Sequence, residues 1–218
     1  MRSRALVYRG PATLPGCAEA VAGLLRASRW GFDVQYVGPG EELPVSGLAL
    51  AGAAVYAQPG GGELSRGYRH LRRHRAAIRS YVHGGGRYLG FCLGGYLAGA
   101  TPGFDLLPGD TDQYIASPRA TVASTGDTLV EVAWRGRRRT LYFQDGPYFW
   151  VRPSAGATVV ATYPNGTNAA VVARFGAGWV GVVGPHPEAT SDWFSDAGLP
   201  ASFGQDLGLD LVDAVMRP

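Results

Sequence analysis

The chain has 218 residues, 46% of them hydrophobic and 17% charged, with a formal net charge of +3. That balance excludes a disordered or low-complexity chain. No apolar run approaches the ~18 residues of a membrane span, so no membrane role is expected. The length suits one α/β domain over residues 1–218, with no linker and no internal repeat. All 20 basic residues are arginine, a trait that reflects composition more than function.

Ala5-Leu6-Val7-Tyr8 reads as a buried parallel strand. Helical spacing of Ala20, Val21, Leu24 and Leu25 follows over Cys17–Ala27, and Gly31–Val37 reads as a second strand. Ala53–Ala57 is a third, broken by Gln58-Pro59-Gly60-Gly61-Gly62. One helix is predicted from Leu64 to Val82, stopped by Gly84-Gly85-Gly86, before a fourth strand at Arg87–Phe91. From Ala120 the texture is β-rich, with strands predicted at Arg119–Val122, Thr128–Ala133, Thr140–Phe143, Thr158–Thr162, Ala169–Phe175 and Trp179–Val183. Helices over Thr190–Phe194 and Phe203–Met216 close the chain. The β-α-β alternation calls for a doubly wound, mostly parallel sheet with its site at the strand carboxyl ends.

The most informative motif is Gly90-Phe91-Cys92-Leu93-Gly94, a nucleophile elbow of the form G-x-C-x-G between a strand and a helix. A cysteine there has the helix N-terminus to favour its thiolate, and glycines on either side leave room for the tight turn. A plain turn with an incidental buried cysteine is the alternative. Gly184-Pro185-His186-Pro187-Glu188 supplies a base and an orienter. Pro187 biases His186 toward extended backbone, where residues two apart share a side, so Glu188 can hold one imidazole nitrogen while the other faces Cys92. The amide of Leu93, with that of Gly60 or Gly61, is the expected oxyanion hole. Cys17 has no base signal and reads as a packing residue; a disulfide between the two cysteines would conflict with an active Cys92.

These residues carry a resemblance. Pro59-Gly60-Gly61, Gly90–Gly94 and His186-Pro187-Glu188, in this order over about Ala5–Phe194, resemble the class I glutamine amidotransferase-like superfamily, and most the branch of the biotin-protein ligase N-terminal domain. The resemblance implies a flavodoxin-like fold, a Cys92–His186–Glu188 triad, and thiolate attack on a small amide or acyl substrate through a thioester. It implies an enzyme; a cytoplasmic location is expected because the N-terminal apolar stretch is too short for a signal peptide. Glutaminases of the superfamily carry Gln where this chain has Tyr96, which puts glutamine in doubt as the substrate. A Gly-Pro-aromatic loop near the thiol in that branch places Gln144 and Asp145, with Tyr96, as candidate substrate contacts. A binding module with a vestigial triad, and a glutaminase component feeding a separate synthetase, are the alternative readings.

No cofactor and no metal are expected. Gly109–Tyr114 has acidic spacing but lacks the distal Glu of a calcium loop, and His70 and His74 lack the Glu of a zinc helix. The arginines from Arg66 to Arg79 read first as a solvated face and second as a docking surface for an acidic partner protein. Nucleic acid is not expected, since Tyr68 is the one Tyr, Phe or Trp interleaved with them.

Overall fold

In the computed structural model, which describes residues 3–152 and 156–217, strands and helices alternate through the first half of the chain. β1 (Arg4–Tyr8), α1 (Cys17–Ala27), β2 (Asp33–Val37), α2 (Gly47–Ala51), β3 (Val55–Gln58), α3 (Leu64–Leu71), α4 (Arg75–His83), β4 (Arg87–Phe91) and α5 (Leu93–Ala98) follow in order. Strands then dominate: β5 (Gly109–Gln113), β6 (Thr128–Trp134), β7 (Arg137–Phe143), β8 (Pro147–Val151), β9 (Thr158–Thr162), β10 (Asn168–Phe175) and β11 (Gly178–Val183). Helices α6 (Ser191–Asp196) and α7 (Gln205–Met216) come last.

The main path of the sheet runs β2-β1-β3-β4-β11-β10-β9-β6-β7, with β8 joined to β10 and β5 to β8. β2, β1, β3, β4 and β11 are mutually parallel, and everything beyond β11 is antiparallel. β3 is buried throughout and β1 and β4 along four of their five residues, which explains their unbroken apolar sequences: helices cover both faces. Val21, Leu25, Leu211 and Val215 of α1 and α7 pack into one core. Leu50, Leu71, Ile78 and Leu97 of α2–α5 pack into the other. The fold is thus a flavodoxin-like α/β sandwich extended by an antiparallel β region.

This order sets up the site. β3, β4 and β11 are adjacent and parallel, and their ends are level, with Gln58 opposite Gly90 and Val183 opposite Phe91. The loops leaving their carboxyl ends carry Gly60-Gly61, Cys92 and His186, which places segments over a hundred residues apart in one crevice.

Several expected elements differ. The helix expected over Leu64–Val82 is interrupted by a 3-10 turn at Arg72–His74. Arg75 and Arg79 beyond it bend back to carbonyls of Gly103 and Phe104 and to Asp105, so two of the six arginines between Arg66 and Arg79 hold a loop in place. No strand forms at Arg119–Val122: Arg119 has φ +59°, and the amides of Ala120 and Thr121 donate to the Ser117 carbonyl and the Tyr114 hydroxyl. Conversely, Gly109–Gln113 and Pro147–Val151, where no strand is expected, pair as antiparallel strands.

Candidate active site

Cys92 stands alone between β4 and α5 with φ +47° and ψ −105°, a conformation that non-glycine residues rarely adopt. The elbow that imposes it needs glycine on both sides. A methyl group on Gly90 would collide with the Gly94 carbonyl, and one on Gly94 with the Gln58 carbonyl. The Cys92 amide donates to the Val183 carbonyl at 2.9 Å, and the Tyr88 hydroxyl to the Gly94 carbonyl at 2.7 Å. The strained residue is therefore tied to β11, and the start of α5 to β4. The thiol, 6% exposed, lies 3.5 Å from the Gln144 carbonyl.

His186 follows β11 at an isolated bridge to Tyr142, whose carbonyl accepts from its amide at 2.9 Å. Its own carbonyl accepts from the Ala189 amide at 3.2 Å, so a tight turn over Pro187-Glu188, in place of the expected extended segment, brings Glu188 back to the ring. Its Nδ1 lies 2.8 Å from Glu188 Oε1. The ring meets Trp193 and Tyr142 edge-on at 5.2 Å and 5.9 Å, and any Cβ at Gly60 would come within 2.8 Å of its Cε1. Burial opposes an imidazolium here. The charges of Glu188 and Cys92, and the hydrogen bond to Glu188, outweigh it and raise the His186 pKa to about 10. Glu188 is itself buried, and its Oε2 has no hydrogen-bond partner.

The crevice opens into a cavity of about 490 Å³ lined by Cys92, Leu93, Gly61, Tyr96, Gln144 and Asp145 among others, a size suited to a small ligand. Six of the nine expected site residues thus share one cavity. His186 and Glu188 stand behind Cys92, and Gly60 packs against the imidazole instead of lining the cavity. The Tyr96 hydroxyl donates to the Asp145 carbonyl at 3.1 Å, closing one wall. The Thr13 hydroxyl donates to the Gly60 carbonyl at 2.6 Å and the Gln58 side chain to the Ala12 carbonyl at 3.2 Å, which fixes the Pro59–Gly62 loop. A larger cavity of about 820 Å³ lies behind Glu188 and includes neither thiol.

Three neighbours of the site are not apparent from the sequence alone. Cys17, expected as a packing residue, lines a cavity of about 230 Å³ with His186, Tyr142 and Trp193. Asp112 and Gln113 reach the main cavity from β5. Only the pairing of β5 with β8 brings them there, and nothing local in Gly109–Gln113 announces it. Asp110, the other acid of that segment, caps the Ala100 and Thr111 amides and meets the Thr101 hydroxyl. Among the described residues no group of three or more His, Cys, Asp or Glu is placed to hold a metal, and no helix is long and apolar enough to cross a membrane.

The sequence matches the family described as biotin-protein ligase, N terminal, over residues 3–126. A search of curated proteins returns no match. Among solved structures, a Thermoplasma acidophilum protein provisionally assigned to GMP synthase superposes with a TM-score of 0.61 at 12% identity, covering 99% of this chain and 94% of its own. An exo-β-1,4-mannosidase from an Opitutaceae bacterium gives 0.57 at 16% identity over 98% of this chain and 36% of its own. A cytoplasmic protein of Salmonella typhimurium gives 0.56 at 13% identity over 97% and 99%. At these identities the shared property is the fold.

Proposed function

The chain belongs to the biotin-protein ligase N-terminal family, with a glutamine amidotransferase-like fold, and from that premise we propose that it is a cysteine-dependent hydrolase of a small amide or acyl substrate. The observation that carries this reading is the union of a strained cysteine on a cavity floor with a buried His186 whose Nδ1 is engaged by Glu188.

Cys92 Sγ attacks the substrate carbonyl carbon, and the carbonyl electron pair moves to oxygen. The Leu93 amide, first of α5 and without an acceptor inside the helix, and the Gly61 amide receive that oxyanion. Collapse expels the amine or alcohol, which takes its proton from the His186 imidazolium, and a thioester remains. His186 then removes a proton from water as the water oxygen attacks the thioester, and Cys92 leaves as thiolate with release of the acid. Glu188 accepts from Nδ1–H throughout and so keeps Nε2 for the proton transfers. Tyr96, where superfamily glutaminases carry Gln, is committed to the Asp145 carbonyl, which favours a substrate other than glutamine.

The test is capture of the thioester. Brief exposure to an activated ester such as p-nitrophenyl acetate, acid quench and peptide mass mapping should place one acetyl group on Cys92. His186→Ala should lose it. Absence of the adduct in wild type, with no acetate released above background, would overturn the reading and favour a binding module that keeps only the fold.

A further inference from the structure

The charge around Cys92 runs against that of the whole protein. The chain carries a formal charge of +3 and 20 arginines, yet among the described residues no arginine lines the cavity over Cys92. Its charged lining consists of Glu63, Asp112 and Asp145. The smaller cavity beside His186 adds Asp127 and Asp196, again without arginine. Elsewhere on the molecule arginines pair readily with carboxylates, as in Arg9–Glu41, Arg135–Asp210 and Arg139–Asp206. None of the ion pairs among the described residues uses Glu63, Asp112 or Asp145.

Two of these acids are aimed by the fold. β5 and β8 pair so that Gln113 lies opposite Pro147 and Asp112 opposite Tyr148, which sets Asp112 beside the turn that carries Asp145. Asp145 sits in that turn with φ +49°, and both its carboxylate oxygens accept from Gln113 Nε2, at 2.8 Å and 2.9 Å. Tyr96 is their common neighbour: burial and then the charges of Cys92, Asp145 and Asp112 act on its hydroxyl. Asp112 is exposed and accepts from the Gln113 amide at 2.7 Å with one oxygen, whereas both oxygens of Glu63 cap α3 through the amides of Ser65 and Arg66. Asp145 is half-buried, its charge is opposed by burial, and among the described residues a neutral amide is the only side-chain donor it has. An acid-lined wall over a nucleophile, with no cation of its own, fits a ligand that brings the cation.

Resting on the hydrolase reading, we infer that the substrate is a cationic amide or ester, bearing an ammonium or guanidinium group that Asp112 and Asp145 receive while Cys92 attacks its carbonyl. A substrate carboxylate would find no basic partner in the cavity. Asp112 and Asp145 are therefore the specificity-determining residues of the site.

Charged methanethiosulfonates test this without an identified substrate. The Cys92 thiolate attacks the sulfenyl sulfur, methanesulfinate leaves, and a mixed disulfide forms. Labelling of Cys92 is followed by peptide mass mapping with the 2-aminoethyl (cationic), 2-sulfonatoethyl (anionic) and methyl (neutral) reagents. Rates are normalised to the methyl reagent and compared with those of a small free thiol. The protein's overall positive charge alone would speed the anion. The expected result is a cation-over-anion ratio at least about tenfold above that of the free thiol. It should fall toward the free-thiol ratio in Asp112→Asn/Asp145→Asn, which keeps side-chain size and an oxygen acceptor for Gln113. Ready labelling without charge preference, or a preference that survives the double substitution, overturns the cationic substrate and leaves the hydrolase standing. Failure of Cys92 to react with any of the three overturns both.

Discussion

Cys17 and Cys92 are alike in three respects and part in two. Both are buried, both stand at the start of a helix, and both lie beside His186: a Cβ built on Gly60 would sit 3.6 Å from Cys17 Sγ and 3.6 Å from the imidazole Nδ1, and Cys92 is near enough for its charge to raise the pKa of the ring. Yet Cys92 has the strained backbone of the elbow and opens on the substrate-sized cavity, whereas Cys17 lies within α1. Burial first, then the charges of Glu188 and Cys92, push the Cys17 thiol up to about 12. On the proposed reading, a helix N-terminus and a nearby imidazole do not by themselves make a nucleophile, and the elbow at the sheet's carboxyl edge makes the difference.

Substitutions can break that contrast in order of severity. Cys92→Ser should abolish thioester formation and lower hydrolysis of any substrate by on the order of 10⁴-fold or more, measured as kcat/KM. His186→Ala should cost about 10²–10⁴-fold, the usual contribution of a general acid–base. Glu188→Gln should cost about one to two orders of magnitude less than His186→Ala, because it disturbs the orientation of the base and leaves the base present. Cys17→Ser should stay within about twofold of wild type. A loss through Cys17 as deep as through Cys92 would invert the assignment of the two thiols.

The imidazole offers a finer probe. NMR titration of the His186 ring should give a pKa near 10 in wild type, and Cys92→Ala and Glu188→Gln should each lower it, since their charges raise it. The linkage sign follows. A folded-state value above the ordinary ~6.5 means that the folded chain binds this proton more tightly, so the stabilisation is complete below about pH 6.5 and lost as pH climbs through about 10. A ring that titrates near 6.5 in wild type would remove the charged partner of the Cys92 thiolate. Gly94→Ala is a structural counterpart: its methyl would meet the Gln58 carbonyl and should destabilise the fold by about 1–3 kcal/mol, read by thermal or denaturant unfolding.

The elbow was legible in the sequence because its constraints are local. Gly90 and Gly94 are required where backbones touch, and His186 and Glu188 do meet, at 2.8 Å, although through a tight turn closed by the Ala189 amide on the His186 carbonyl and not through the extended step expected. The parallel strands were legible as apolar runs because both their faces are buried. Tertiary effects hid the rest. Gly-Asp-Thr-Asp-Gln over 109–113 has no strand pattern and becomes β5 by pairing with β8, so Asp112 and Gln113 gave no sign of being cavity residues. The apolar spacing of Leu71, Ile78 and Val82 runs on past the break at Arg72–His74, which periodicity therefore could not reveal. The expected strand at Arg119–Val122 lost to local turns, in which Tyr114 and Ser117 satisfy the backbone.

The most direct test of the central claim is the alkylation rate of Cys92 by iodoacetamide across pH 5–10, in wild type and His186→Ala, with Cys17 as the reference thiol in the same samples. Cys92 should react far faster than Cys17 at neutral pH and lose most of that advantage without His186. A Cys92 no more reactive than Cys17, or one indifferent to the loss of His186, would contradict the account.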